Sequence, residues 1–363
     1  MTKIRKLYFF DKKNTKEMIS YLNNGDNYTN HIMFNPLAPL HHLVPLRFKY
    51  LPESYVLKDK NEMKGLITIA PTKCPIKQME IQKLLFEENC YEDAGELVQF
   101  VVSKYKAKGC ASIIVRIDDY LPELIKLFIS KCGFSQISYE KLWRVGLGAN
   151  VNDSSTAFDK NESKLGYDKK MFRSFRNSDA AVIANLYNEQ LLPHFRPLLG
   201  KEAKDFKDVI FKGLSYFNEY KYVYRNKKNK NIIAYISIKT ADNQNYIIDI
   251  IKSSWEDFDV NILIEFAKHK IQKRSKNAKI FIKSKKYTQN GEKYEQEFLS
   301  NKFECVQNQV VLTNSSAKII KDTEHVKRFT VLNQFYGGIG VTNKVNVGYD
   351  FFYLNQNQSN QSS

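Results

Sequence analysis

The sequence predicts an α/β chain of α+β character, built as two like-folded units in tandem, each a mixed and mostly antiparallel sheet flanked by helices. Three observations predict it. Apolar patterns recur at a fixed offset, strand-like and helix-like runs follow the same order in both halves, and 363 residues suffice for two domains that each bury a core. Gly65-Leu66-Ile67-Thr68-Ile69 matches Ala234-Tyr235-Ile236-Ser237-Ile238 at a numbering offset of 169, as Glu80-Ile81 matches Asp249-Ile250 and Gly133-Phe134 matches Lys302-Phe303. Ile113 to Ile117 answers to Ile280 to Ser284 at an offset of 167.

The elements follow in order. The first unit opens with the apolar run Leu7 to Phe10 and a short helix carrying Met18, Ile19 and Leu22; the second opens around Phe172 to Phe175, with a helix carrying Val182, Ile183, Leu186 and Tyr187 and Ser178 as its expected N-cap. Proline-rich connections follow, Pro36 to Pro45 with His41 and His42, and Pro193 to Pro197 with His194. Hairpins come next. Tyr55 to Leu57 and Gly65 to Ala70 flank the turn Lys58-Asp59-Lys60-Asn61, and Lys221 to Arg225 and Ile232 to Lys239 flank Asn226 to Asn231. A further strand, Met79 to Phe86 or Tyr246 to Ile251, leads into a helix whose apolar residues recur at helical spacing: Leu97, Val101 and Tyr105, or Val260, Leu263, Ile264, Ala267 and Ile271. An apolar strand at Ile113 to Ile117 or Ile280 to Ile282 follows. The first unit closes with a helix through Leu121, Leu124, Ile125, Phe128 and Cys132, a Gly133-Phe134 corner, and two strands through Ile137 and through Leu142 to Val145.

These patterns place the first unit at residues 1–147, a linker at 148–170, the second unit at 171–316 and an extension at 317–363. Gly146 to Lys170 is rich in Gly, Asn, Ser, Asp and Lys without a sustained apolar period, as a linker is. Asn355 to Ser363 is wholly polar and is expected to be disordered, and Tyr336-Gly337-Gly338-Ile339-Gly340 reads as a glycine-rich turn, because no clear helix opens after it.

Composition narrows the class. Hydrophobic residues at 43% and aromatics at 13% place the chain among folded proteins. With no run of 18 apolar residues and no secretory-type stretch after Met1, the expectation is a cytoplasmic protein with no membrane partner. Cys74, Cys90, Cys110, Cys132 and Cys305 lack C-x-x-C spacing and read as reduced structural thiols, with no metal site. The net charge of +17 is densest from Lys268 to Lys286, a run that suits polyanions, nucleic acid included, although it carries only Phe281 and Tyr287 for base stacking.

The element order, together with Lys131-Cys132-Gly133-Phe134 as the corner after the last helix, resembles the GNAT (GCN5-related N-acetyltransferase) superfamily, here as two copies covering most of the chain. The resemblance implies a sheet splayed open between its fourth and fifth strands, often beside a β-bulge. Backbone groups there are left free for the pantetheine arm of acetyl-CoA or another acyl-CoA, whose pyrophosphate lies on the next helix N-terminus. It implies cofactor contacts at Leu85, Phe86 and Gly95 in the first copy, and at Ile250, Ile251, Lys252, Ser253 and Ser254 in the second. Glu80 and Asp249 fall where the family often carries its base.

The sequence departs from the family pattern at two places. The phosphate loop, Gln/Arg-x-x-Gly-x-Gly/Ala in the family, reads Cys90-Tyr91-Glu92-Asp93-Ala94-Gly95 in copy one, with two carboxylates that repel a pyrophosphate. In copy two it reads Lys252-Ser253-Ser254-Trp255-Glu256-Asp257-Phe258-Asp259, without glycine, its serines suited either to phosphate or to helix capping. The tyrosine acid four residues before the corner is replaced by Ile129 and Phe298, with Tyr91 and Tyr294 as nearby tyrosines. The expectation is an acyl-CoA-dependent N-acyltransferase acting on a small-molecule or peptide amine. The alternatives are a catalytically degenerate scaffold, or a tRNA-dependent aminoacyl transferase using the basic run. A splay at Leu84 to Phe86 or Ile250 to Lys252 is the feature that a cofactor slot requires.

Overall fold

The computed structural model describes residues 2–7, 11, 52–60, 62–72, 77–87, 90–146, 168–208, 218–240, 242–256, 258–315 and 346–350. Outside them lie the expected helix at Met18 to Leu22, the Pro36 to Pro45 connection with His41 and His42, Tyr336 to Gly340, the polar end and most of the linker.

The first half runs β1 (Thr2–Lys6), β2 (Glu53–Asp59), β3 (Glu62–Pro71), β4 (Gln78–Glu87), α1 (Tyr91–Ala107), β5 (Ser112–Asp118), α2 (Pro122–Lys126), continued as a wider turn of helix over Leu127–Lys131, and β6 (Ser135–Arg144). The second half runs β7 (Phe172–Ser174), α3 (Ala180–Gln190), α4 (Arg196–Leu199), α5 (Ala203–Phe206), β8 (Asn218–Arg225), β9 (Ile232–Thr240), β10 (Asn245–Lys252), α6 (Asn261–Gln272), β11 (Lys279–Lys285), α7 (Gly291–Ser300) and β12 (Glu304–Ser315); β13 (Asn346–Asp350) follows. The opening strand is thus Thr2–Lys6, ahead of the apolar run expected to form it. Ser178 is not the N-cap of α3: the turn before that helix is fixed by Asp179, which accepts from the Arg176 backbone N–H at 2.8 Å and from both Arg173 guanidinium nitrogens at 2.7 Å.

All these strands form one sheet in the order β1-β2-β3-β4-β5-β12-β6-β11-β10-β9-β8-β7, with β13 added on β4. Neighbours are antiparallel except β4 with β5 and β10 with β11. The register carries the repeat. Gln78 pairs Ser112 and Met79 pairs Ile113 in the first half; Ile247 pairs Phe281 and Ile248 pairs Ile282 in the second, so both strands of the pair recur at 169, and Ile113 answers to Ile282 where the sequence reading matched it to Ile280 at 167.

Each half ends in one long strand where two were expected in the first, and the physical reason is exchange. β12 lies between β5 and β6, and β6 lies between β12 and β11. The last strand of each half therefore completes the sheet of the other. Side chains follow the backbone: Trp143 and Val145 join the core under α6, while Val310 and Leu312 join the core under α1. A third cluster, under α3 to α5, takes Ile114 from β5 and Val311 from β12, so the halves share buried surface that neither could cover alone.

Close approach positions α1. Its buried Leu97, Val98, Val101 and Tyr105 lie on one face, and a Cβ on Gly65 of β3 would meet the Leu97 side chain at 2.7 Å, so glycine there lets the helix sit this near without moving Leu97. At the corner, Gly133 has φ 69° and Lys302, its counterpart in the second half, takes φ 57°. The second half thus makes the same left-handed turn with a side chain in place.

Candidate functional site

β4 parts from β5, and β10 from β11, ahead of the expected places. β4 and β5 are paired only over Gln78, Met79 and Glu80, after which β4 runs on to Glu87 without β5. β10 and β11 are paired only from Asn245 to Ile248, after which β10 runs on to Lys252 without β11. In the first half a bulge lies beyond the parting: Thr68 pairs Lys83 and Ile69 pairs Ile81, leaving Gln82 as the extra residue on β4. β10 has no such shift against β9.

The two openings differ in their occupants. In the first half β13 lies along the parted edge of β4, with Asn346 to Asp350 in antiparallel register on Glu87 to Lys83, so the edge of Leu85 and Phe86 carries a strand. In the second half, among the described residues, Asp249 to Lys252 pair with β9 alone. Ile250 and Ile251 bury their side chains in different cores, so only their backbone faces the opening.

Glu80 and Asp249 stand where each parallel ladder ends, and each is held by a cation on the neighbouring strand. Arg116 of β5 binds Glu80, and Lys285 of β11 binds Asp249 at 2.6 Å. Arg116 and Lys285 are equivalent at the offset of 169 that the register gives this strand; the offset of 167 read from the sequence sets Arg116 against Lys283 instead. Arg116 Nε also donates to Glu140 of β6 at 2.8 Å, and Glu140 accepts from the Tyr287 hydroxyl at 2.8 Å and from Lys283 at 3.3 Å. Burial alone would push Glu140 up, yet Arg116 and the two lysines hold it far below the usual carboxylate range. Burial likewise opposes the charge on Asp249 and is outweighed by Lys285, Lys239 and Lys201, which hold its pKa down. Lys201 is pushed down to about 8, by burial and then by Lys239, and its ammonium lies 5.0 Å from the centre of the Tyr187 ring. Asp249 is therefore an ionised carboxylate at neutral pH in a cationic surround.

Solved structures share this architecture. A tandem GNAT protein from the clavulanic acid biosynthesis pathway is 10% identical, with a TM-score of 0.55, over 88% of this chain and 99% of its own. The fold is that of a tandem GNAT protein. A GCN5-related N-acetyltransferase from Sphaerobacter thermophilus is 8% identical at a TM-score of 0.51, over 86% of this chain and 95% of its own. A Drosophila protein is 9% identical at 0.52, over 86% and 98%. No protein-family model matches the chain, and no curated protein matches its sequence.

Around this GNAT frame, the helix starts after the openings differ from the family pattern. In the first copy α1 begins without a side-chain cap and with Glu92 and Asp93 in its first turn. Asp93 is pushed up by burial and by Glu96 and Glu87, the mark of carboxylates crowding one another. Gly95 lies inside the helix, where it packs against Leu127. In the second copy Lys252 is buried and donates to the Phe258 carbonyl at 2.8 Å, while the Ser253 hydroxyl accepts from the Trp255 N–H at 3.3 Å. Neither serine caps α6, because Asp259 accepts from the Asn261 N–H at 2.9 Å. The Ser254 hydroxyl is buried with no hydrogen-bond partner among the described residues, and Trp255 is 86% exposed beside it.

No tyrosine acid stands at the corner helix. Ile129 is exposed and Phe298 is core. Tyr91 packs on Phe86 with ring centres 5.5 Å apart, and Tyr294 is buried, its hydroxyl accepting from Gln190 at 3.5 Å and pushed up foremost by burial. His194 is exposed against Phe195. Several members of the basic run have partners within the chain: Lys283 and Lys285 bind Glu140 and Asp249, Lys270 and Arg274 lie over Tyr222 and Tyr220, and Lys268 pairs with Glu265. Among the described residues no group of His, Cys, Asp and Glu could hold a metal ion, and no helix is long and apolar enough to cross a membrane.

Proposed function

We propose that this chain is an acyl-CoA-dependent N-acyltransferase, most simply an N-acetyltransferase, whose second half carries the acyl-CoA. The observation that supports this is the edge of β10 from Asp249 to Lys252, parted from β11 and paired only with β9 among the described residues. Its backbone groups are the ones a pantetheine arm would bond, and the Ser254 hydroxyl, without a partner among the described residues, and the Lys252 ammonium lie at the end where phosphates would follow. When bound, an acyl-CoA supplies a thioester carbon open to attack by an amine.

The chain's own residues do the rest. Asp249, kept ionised by Lys285, would accept a hydrogen bond from the incoming amine at the point of parting and stabilise the positive charge on nitrogen as the C–N bond forms; the C–S bond would break as the amine's proton passes to the departing thiol. Peptide N–H groups on the parted edge would be placed to donate to the thioester carbonyl oxygen. Because Asp249 is held below the ordinary carboxylate range, its contribution is orientation and charge stabilisation more than intrinsic basicity.

A non-catalytic tandem GNAT scaffold is the second reading. Its support is Asp259, whose carboxylate occupies the N-terminus of α6 where a pyrophosphate would need N–H groups. One experiment separates the two. Isothermal titration of the full chain with acetyl-CoA and CoA is expected to give one equivalent bound, and a panel of polyamines, aminoglycosides and peptides is expected to contain one that releases CoA thiol. Binding without turnover supports the scaffold; absence of binding at millimolar ligand removes the acyltransferase.

A further inference from the structure

The parted edge of β4 has the geometry of a cofactor slot and holds part of this chain. β4 is bonded to β3 on one side through Gly65, Leu66, Ile67 and Thr68, opposite Phe86, Leu85, Leu84 and Lys83. Those same β4 residues have Val347, Gly348, Tyr349 and Asp350 as register partners, so β13 lies on the other side, the side that β5 has left. β5 does not fill the gap: its pairing with β4 stops at Ile114, while its other edge is paired with β12 from Ser112 to Asp118. A five-residue strand therefore lies where a pantetheine arm would extend, and it takes up the backbone N–H and C=O groups that such an arm would need.

We infer that residues 346–350 are a built-in occupant of the first half's opening, which makes that half a receptacle for the chain's own C-terminal segment and closes it to acyl-CoA. Charge agrees with the assignment. A pyrophosphate at the start of α1 would meet Glu92 and Asp93, with Glu87 and Glu96 close enough to raise Asp93, whereas a peptide strand brings no phosphate to that turn. Tethering favours it as well, since a segment of the same chain is present at a high effective concentration that free cofactor does not match. The two halves have then diverged by a division of labour: one opening filled by a strand, the other left without a strand partner among the described residues. The inference rests on the proposed function only in naming what is excluded; the strand itself can be tested without any cofactor.

The test is hydrogen exchange on the full chain, wild type against the double variant Val347→Pro and Gly348→Pro. Adjacent residues of a strand point their N–H groups to opposite edges, so two consecutive prolines remove a donor toward β4 whichever register face is bonded. The expected result is slow exchange across residues 83–87 in the wild type, faster by at least tenfold in the variant, with β2, β8 and β9 unchanged as evidence of an intact fold. Fast exchange at 83–87 in the wild type, or no change on substitution, overturns the inference. Protection that weakens on dilution, together with a dimeric mass, also overturns it, because the strand then comes from a second chain. Acetyl-CoA titration provides the separate arm. Two equivalents bound by the wild type refute the exclusion, while one equivalent supports it. No binding at all, with protection at 83–87 intact, defeats the acyltransferase reading and leaves the strand assignment standing.

Discussion

Glu140 and Gln309 face each other as register partners across β6 and β12, and the repeat offset makes them the same position of the two halves, meeting at the line that relates them. Their partners obey the same relation. Glu140 of the first half accepts from Tyr287 of the second at 2.8 Å, and Gln309 of the second donates to Asp118 of the first at 3.1 Å; Asp118 and Tyr287 are again equivalent in the repeat. The contact is symmetric in backbone and asymmetric in charge, since one half presents a carboxylate and the other an amide. That asymmetry lets a single buried anion serve Arg116, Lys283 and Tyr287 without facing a second anion across the strand pair.

Glu140→Gln is accordingly expected to destabilise the chain by roughly 3–5 kcal/mol, because it leaves the buried Arg116 guanidinium with Glu80 alone. Urea unfolding at neutral pH measures it. A loss below about 1 kcal/mol would mean that the pair is effectively solvated.

Strand exchange makes a second prediction. Trp143 belongs to the first half by sequence and to the core of the second by packing, with its ring 5.9 Å from that of Phe298 and its N–H on the Ser284 hydroxyl at 2.9 Å. Trp143→Ala is expected to cost roughly 3–5 kcal/mol and to leave unfolding as one transition, coincident by near- and far-ultraviolet circular dichroism. Two separated transitions would show halves that fold independently despite the shared sheet.

The repeat is legible in the sequence because hydrophobic periodicity is local, and Glu80 with its counterpart Asp249 marks where each parallel pair parts. The partner of each strand is not legible. Nothing in Ile137 or Leu142 says that their strand lies beside β11, since a strand's alternation fixes its faces but leaves its edges unspecified. Gly133 marks its corner through glycine's freedom at positive φ; Lys302, with φ 57°, gives no such mark and is placed only by the offset. The cations on Glu80 and Asp249 are hidden for a similar reason. Arg116 and Lys285 sit in apolar strands where a charge reads as a surface residue until the neighbouring strand is known.

Glu53 gives a pH dependence whose sign can be worked out. It accepts from the Tyr55 and Tyr105 hydroxyls, each at 2.6 Å. Burial works to raise its pKa and is outweighed by those two bonds and by Lys6 and Lys108, bringing it from an ordinary 4.5 to about 2. A carboxyl depressed in the folded state contributes stability that is fully present above its unfolded value and is lost as pH falls through the folded one. The contribution is up to about 3 kcal/mol, lost between roughly pH 4.5 and pH 2. Tyr105→Phe is expected to shrink that loss, as read from urea unfolding at a series of acid pH values; an identical acid profile in the variant would assign the depression to the lysines instead.

Asp249 is the sharpest test of the chemistry, because its two possible roles respond differently to one change. If it serves the incoming amine at the end of the β10/β11 ladder, Asp249→Asn keeps the side-chain volume, removes the charge and lowers kcat by roughly 10²- to 10⁴-fold, leaving acetyl-CoA affinity near that of the wild type. If its only role is to neutralise Lys285, 2.6 Å away, the same change lowers thermal stability and leaves kcat of the surviving folded protein intact. Lys285→Met separates these further. It removes the cation that helps keep Asp249 ionised, so a working Asp249 should titrate at higher pH and shift the acid limb of the kcat profile upward. An acid limb that does not move in Lys285→Met, combined with full turnover in Asp249→Asn, would take Asp249 out of the reaction.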